Sequence, residues 1–124
     1  MGSPAAKRIL IVDDEPHIRR LLKARLEYHN FEVHEGEDGE SAIRLMKELK
    51  PDLAIIDVGM PKMDGYTFVK VFKSRYSMEE VPIVVLTGRS GMQEPFEMEG
   101  VRSFITKPCN GDELVGKIRS ILRR

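Results

Sequence analysis

The feature that most constrains this chain is an alternation of short apolar runs with helical spacings, repeated five times along its length. The runs are Arg8–Val12, Phe31–His34, Leu53–Val58, Val81–Thr87 and Val101–Thr106. Three contain unbroken apolar blocks, Ile9–Val12, Leu53–Ile56 and Ile83–Leu86. A strand with one wet face alternates polar and apolar residues; unbroken blocks belong to parallel strands covered on both faces. Between the runs, apolar residues recur at helical intervals. Ile18, Leu21, Leu22 and Leu26 share one face, as do Ala42, Ile43, Met46 and Leu49. Phe68, Val69, Phe72 and Tyr76 form a third set, and Leu114, Val115, Ile118, Ile121 and Leu122 a fourth. Strands that alternate with helices build a parallel sheet with helices on both faces. The expected fold is therefore α/β, a (βα)5 doubly wound domain with a five-stranded parallel sheet.

Local signals refine this expectation. Asp14 ahead of Pro16 reads as a helix cap, and Asn110 with Glu113 three residues later as a capping-box analogue. The connection between the fourth and fifth strands is the misfit. Gly91 and Gly100 each cost about 1 kcal/mol in a helix interior, and Pro95 about 3. The expectation there is a shortened, irregular helix near 95–99. Residues 1–6 read as a flexible lead-in or tag remnant, and 7–124 as the folded domain.

Composition removes whole classes of function. Twenty basic and twenty acidic residues give zero net charge, which argues against a nucleic-acid or membrane-surface binder acting through bulk electrostatics. With 41% hydrophobic residues the chain can build a core and is not a disordered polyampholyte. One cysteine, Cys109, excludes an intrachain disulfide framework and a multi-cysteine zinc cluster; it reads as a small buried hydrophobe. No apolar run approaches the roughly 18 residues of a membrane span, and Ala6 stands where a myristoylation signal wants Ser or Thr. The expected location is cytoplasmic.

Ligands of open parallel sheets bind beyond the carboxyl ends of the strands. Asp13 and Asp14 follow the first strand, Asp57 ends the third, Thr87 the fourth, and Thr106-Lys107-Pro108 the fifth. Each residue alone has a plain reading: a cap, a turn former before Gly59 and Pro61, a strand end, a solvated charge. Together these readings fail, because three carboxylates in one crevice repel and each is harder to ionise there. A cation or an opposing charge is needed. Oxygen-only ligands without a Cys/His cluster suit Mg²⁺ better than zinc, and Lys107 supplies a positive charge opposite Asp57.

At these residues the chain resembles the receiver domain of two-component response regulators. The motifs are Ile11-Val12-Asp13-Asp14-Glu15-Pro16, Asp57-Val58-Gly59-Met60-Pro61-Lys62-Met63-Asp64-Gly65, Leu86-Thr87-Gly88 and Lys107-Pro108. The resemblance covers about Lys7 to Leu122 and implies a flavodoxin-like strand order 2-1-3-4-5. It implies that Asp57 accepts a phosphoryl group from a histidine kinase or histidine phosphotransfer protein, giving an aspartyl phosphate. Asp13 and Asp14 would hold Mg²⁺, one directly and the other directly or through water, joined by Asp57 and the Gly59 carbonyl. Thr87 and Lys107 would contact phosphoryl oxygens. Thr87 would also act in a conformational switch with the aromatic at Phe104, which reads equally well as plain core of the fifth strand. Gly59 and Arg89 stand where the family tunes phosphoryl lifetime. The rebuilt helix before the fifth strand puts the family's usual output surface in doubt.

Such a domain is a signalling module with self-directed chemistry and not an enzyme acting on other substrates. Its partners would be the kinase and a downstream protein effector, with neither nucleic acid nor membrane bound directly, and with room for a phosphorylation-dependent homodimer. At 124 residues the length fits a receiver without its effector. His17 reads as a solvated helix residue, as do the basic residues Arg119, Arg123 and Arg124 at a helix C-terminus. Three other readings fit the sequence less well. A haloacid-dehalogenase-type phosphatase needs its nucleophile on the first strand in a D-x-D pattern, and strand one gives Asp13-Asp14-Glu15-Pro16. A flavodoxin-like FMN carrier needs a Ser/Thr/Gly-rich loop at that place. A degenerate receiver would serve only as an interaction surface, and the presence of every expected site residue type counts against it.

Overall fold

A computed structural model of the chain describes residues 6–57, 65–75, 81–87, 100–101, 103–106 and 111–123. Five parallel strands form one sheet: β1 (Arg8–Val12), β2 (Glu32–Gly36), β3 (Leu53–Asp57), β4 (Ile83–Thr87) and β5 (Ser103–Thr106). Among the described residues four helices accompany them: α1 (Pro16–Tyr28), α2 (Gly39–Leu49), α3 (Gly65–Lys73) and α4 (Gly111–Leu122). The strand order is β2-β1-β3-β4-β5, as the resemblance implied.

The unbroken apolar blocks are sorted by strand alternation into two cores. Leu10, Val12, Ala54, Ile56, Ile83 and Val85 meet Ala42 and Met46 of α2 and Phe68, Val69 and Phe72 of α3. Ile9, Ile11, Leu53, Ile55, Val84, Leu86 and Ile105 meet Leu22 and Leu26 of α1 and Leu114, Val115, Ile118 and Ile121 of α4. Each of these side chains larger than alanine contributes about 1.5–3 kcal/mol on burial. Truncating Phe72, packed against Phe68 with ring centroids 6.0 Å apart, would cost about 3–5 kcal/mol.

Three details differ from expectation. Leu21 is 65% exposed rather than on the buried face of α1. Leu22 and Leu26, four residues apart, point at the sheet, and one residue back turns Leu21 by about 100° away from it. The second strand runs later than the apolar signal suggested, because its parallel ladder pairs Arg8 with Glu32 through to Val12 with Gly36. Phe31 instead belongs to the stop of α1. Its N–H donates to the Leu26 carbonyl and the Asn30 N–H to that of Glu27, with Asn30 left-handed at φ 70°. Asp14 is not the cap of α1. Glu15 holds that position, without a side-chain cap bond, and its N–H donates to Asp13 Oδ1 at 3.0 Å.

The expected short helix near 95–99, Tyr76 and the Asn110 cap lie outside the described residues. Among those described, no helix is long and apolar enough to cross a membrane.

Candidate functional site

The topology makes the crevice. From β1 the chain leaves through α1 on one face, and from β3 through α3 on the other, while β1 and β3 are neighbours in the sheet. Connections that depart to opposite faces open a gap at the carboxyl ends of the two strands, the switch point where ligands bind. Val12 pairs with Ile56, so the next residue on each strand brings Asp13 beside Asp57. Asp57 in turn pairs with Leu86 of β4.

Three carboxylates meet at this point. Asp13, Asp14 and Asp57 each offer an oxygen, and these atoms lie within 4.8 Å of one another. Asp13 is fully buried, Asp57 is 7% exposed and Asp14 is open to solvent. A divalent cation with oxygen ligands at just over 2 Å fits such a set, and the one exposed member gives it a way in. Among the described residues the donor set is all oxygen, which suits Mg²⁺ better than zinc.

The main chain at Asp13 is tied down from several sides. Its N–H donates to the Gly36 carbonyl of β2 at 3.1 Å. Its carbonyl accepts from Arg19 Nη1 of α1, and its Oδ1 from the Glu15 N–H. Arg19 Nε lies 3.3 Å from Glu35 Oε1 of β2, and Lys23 Nζ 3.9 Å from Glu35 Oε2. Sequence reading missed Arg19 and Glu35. Their signal was an arginine one turn into α1 and a glutamate beside the last residue of β2, but nothing in their spacing joins them.

The remaining expected residues fall as follows. Thr87 closes β4 in register with Thr106 of β5. Phe104 is half-buried on β5, packed on the α2–α3 side, and its carbonyl accepts from Lys117 Nζ of α4 at 3.1 Å. His17 is exposed on α1. Gly59, Arg89, Lys107 and Cys109 lie outside the described residues, although Lys107 directly follows the end of β5.

Comparison with known proteins agrees with this architecture. Residues 9–119 match the response regulator receiver domain family. The phosphate regulon transcriptional regulatory protein PhoB of Klebsiella pneumoniae is 36% identical over 121 residues, which are 96% of this chain and 53% of that protein. The chain spans about half the length of the curated relatives it matches. Among solved structures, the chemotaxis protein CheY4 of Vibrio cholerae superposes with a TM-score of 0.88 at 28% identity, covering 94% of this chain and 99% of that one. A two-component response regulator from Clostridium difficile gives 0.88 at 28% identity, covering 95% and 97%. Three acidic residues at a switch point suit more than one cation-dependent chemistry, and a match that runs from the first strand into the last helix shows the family. The chain belongs to the family of response regulator receiver domains.

Proposed function

We propose that the chain, with residues 7–124 as its receiver domain, is a phosphorylation-dependent switch in which Asp57 is the phosphoacceptor. The observation that carries this reading is the buried Asp57 at the end of β3, with carboxylate oxygens of Asp13 and Asp14 within 4.8 Å. Asp57 supplies the nucleophile. A P–O bond forms to its carboxylate while the P–N bond of a partner's phosphohistidine breaks, and the electron pair leaves with the partner's imidazole. Mg²⁺, when held there, would supply positive charge that offsets the charge of the transferring phosphoryl group.

Asp13 and Asp14 hold the metal with Asp57 and the Gly59 carbonyl. Lys107, next after β5, offers its ammonium to the phosphoryl group, and Thr87 at the end of β4 offers a hydroxyl. Gly59 and Arg89 set access to the phosphoryl group and hence its lifetime. Burial of Asp57 limits competing water, and positioning plus charge stabilisation carry most of the acceleration in this class of reaction. Thr87 and Phe104 transmit the change to an output surface read by a downstream protein. The transfer serves the chain's own carboxylate, so the domain signals and does not turn over an external substrate.

Incubation with Mg²⁺ and a small acyl-phosphate donor, followed by intact mass measurement, tests the reading. The expected result is one added phosphate on the wild type and none on Asp57→Asn. An adduct that persists in Asp57→Asn, or none on the wild type, overturns it.

A further inference from the structure

Arg19 and Glu35 belong neither to the two cores nor to the proposed metal ligands, yet their contacts converge on Asp13. The Arg19 side chain is only 13% exposed and that of Glu35 28%. One guanidinium nitrogen of Arg19 donates to the Asp13 carbonyl and another to Glu35 Oε1. A charge withdrawn from water to this degree is costly unless its donors are satisfied, and a planar guanidinium can bridge two acceptors in a fixed geometry. Glu35 pairs with Ile11 in the β1–β2 ladder, one residue before Gly36, whose carbonyl receives the Asp13 N–H. Both polar groups of the Asp13 main chain are thereby referred to β2: the N–H directly, the carbonyl through Arg19 and Glu35.

That carbonyl lies in the peptide plane joining Asp13 to Asp14. The plane is rigid, so holding its oxygen fixes the direction in which Asp14 leaves it. Asp14 is exposed. Asp13 and Asp14 are adjacent in sequence, so the setting of the plane between them governs whether both carboxylates reach toward Asp57.

We propose that Arg19, oriented by Glu35, is a positioning residue for the acidic site, setting the Asp13–Asp14 peptide so that both carboxylates reach one divalent cation together with Asp57. This inference rests on reading the three aspartates as a Mg²⁺ site. A purely electrostatic role for Arg19 predicts the opposite sign. Removing a nearby positive charge would leave the cluster more negative and tighten a cation.

Calorimetric titration of Mg²⁺ into the whole chain, with metal-free thermal melts alongside, separates these cases. The variants are Arg19→Met, Arg19→Lys, Glu35→Gln and Asp14→Ala. Groups that orient metal ligands are typically worth 10–100-fold in affinity, so Arg19→Met is expected to weaken Mg²⁺ about tenfold. Its metal-free melt stays close to wild type. Arg19→Lys keeps the charge but loses the fork, and recovers only part of the loss. Glu35→Gln keeps an acceptor oxygen and weakens binding less than Arg19→Met does.

Unchanged or tighter binding in Arg19→Met overturns the proposal. If that variant does not fold, wild-type affinity in both Arg19→Lys and Glu35→Gln overturns it instead. Wild-type binding that Asp14→Ala weakens, while the Arg19 and Glu35 variants leave it intact, removes the positioning pair alone. Absence of any Mg²⁺ binding that depends on Asp14 removes the metal-site reading itself, and the pair with it.

Discussion

The two ends of the sheet carry charge in opposite ways. Where β1 and β2 begin, signs are mixed and the groups are open to water. Arg8 Nε lies 3.0 Å from Glu32 Oε2, with side chains 47% and 43% exposed. The Arg8 N–H donates to Asp52 Oδ2 and its Nη1 to the Leu49 carbonyl, each at 2.8 Å. His34 Nε2 is 2.7 Å from the same Glu32 oxygen. Exposed pairs of this kind contribute little to stability and are found on most proteins. Where β1 and β3 end, three carboxylates of one sign gather within 4.8 Å, two of them buried. The first arrangement is complete without a ligand. The second groups like charges that a bound cation would offset, and it is this end that the proposed function uses.

Removing a charge should therefore act with opposite sign at the two ends. The largest effect is expected from Asp57→Asn, which keeps the shape of the side chain and deletes one like charge. In urea unfolding without Mg²⁺ the variant is expected to be more stable by on the order of 1–3 kcal/mol, from Coulomb repulsion at about 5 Å in an intermediate dielectric. Mg²⁺ should narrow or reverse the gap. A cation at 100 times its dissociation constant adds about 2.7 kcal/mol to a protein that binds it only when folded, and Asp57→Asn is expected to bind it less well. A variant less stable than wild type in metal-free urea breaks the contrast between the two ends.

Asp38 sharpens it, because it too is a buried carboxylate at the carboxyl side of the sheet, after β2. Its Oδ1 accepts the Ser41 N–H at 2.9 Å and its own N–H donates to Ser41 Oγ at 3.3 Å, a capping box at the start of α2. The helix N-terminus satisfies this charge, so no cation is needed. Asp38→Ala is expected to cost about 1 kcal/mol in urea unfolding while leaving Mg²⁺ affinity unchanged. Loss of Mg²⁺ affinity in this variant would mean that the acidic site extends beyond three residues.

What could be read from the sequence divides along the same line. β1, β3 and β4 were legible because burial on both faces leaves unbroken apolar blocks. β2 was displaced because its last residues, Glu35 and Gly36, owe their place to pairing with β1 and carry no apolar signal. Asp13 and Asp57 were legible as strand ends, since strand order alone sets them side by side. The ties on Asp13 were not, because they need the pairing of β2 with β1 and the rotation of α1 about its axis. Leu21 was misplaced for the second of these reasons, and Asp38 was overlooked although Ser41 follows it at capping-box spacing. Asp14 was given a capping role that the structure leaves to Glu15.

The smallest effect belongs to the other end of the sheet. The hydrogen bond from His34 chiefly holds the Glu32 carboxyl below its ordinary value of 4.5; desolvation opposes it, and the nearby charges of Arg8 and His34 and the Arg8 hydrogen bond add smaller downward pulls. A carboxyl depressed in the folded state binds fewer protons there than in the unfolded chain. The stability it contributes is therefore fully present above 4.5 and is lost as pH falls through the lower folded value. Glu32→Gln should be slightly less stable than wild type at neutral pH and should lose less on acidification, so the two urea midpoints converge below 4.5. Added salt should shrink the neutral-pH difference, because the group is open to solvent. Superimposable acid limbs would show that these contacts hold nothing together. The decisive point is the sign at neutral pH: deleting an exposed, paired carboxylate lowers stability a little, whereas deleting a buried, crowded one raises it.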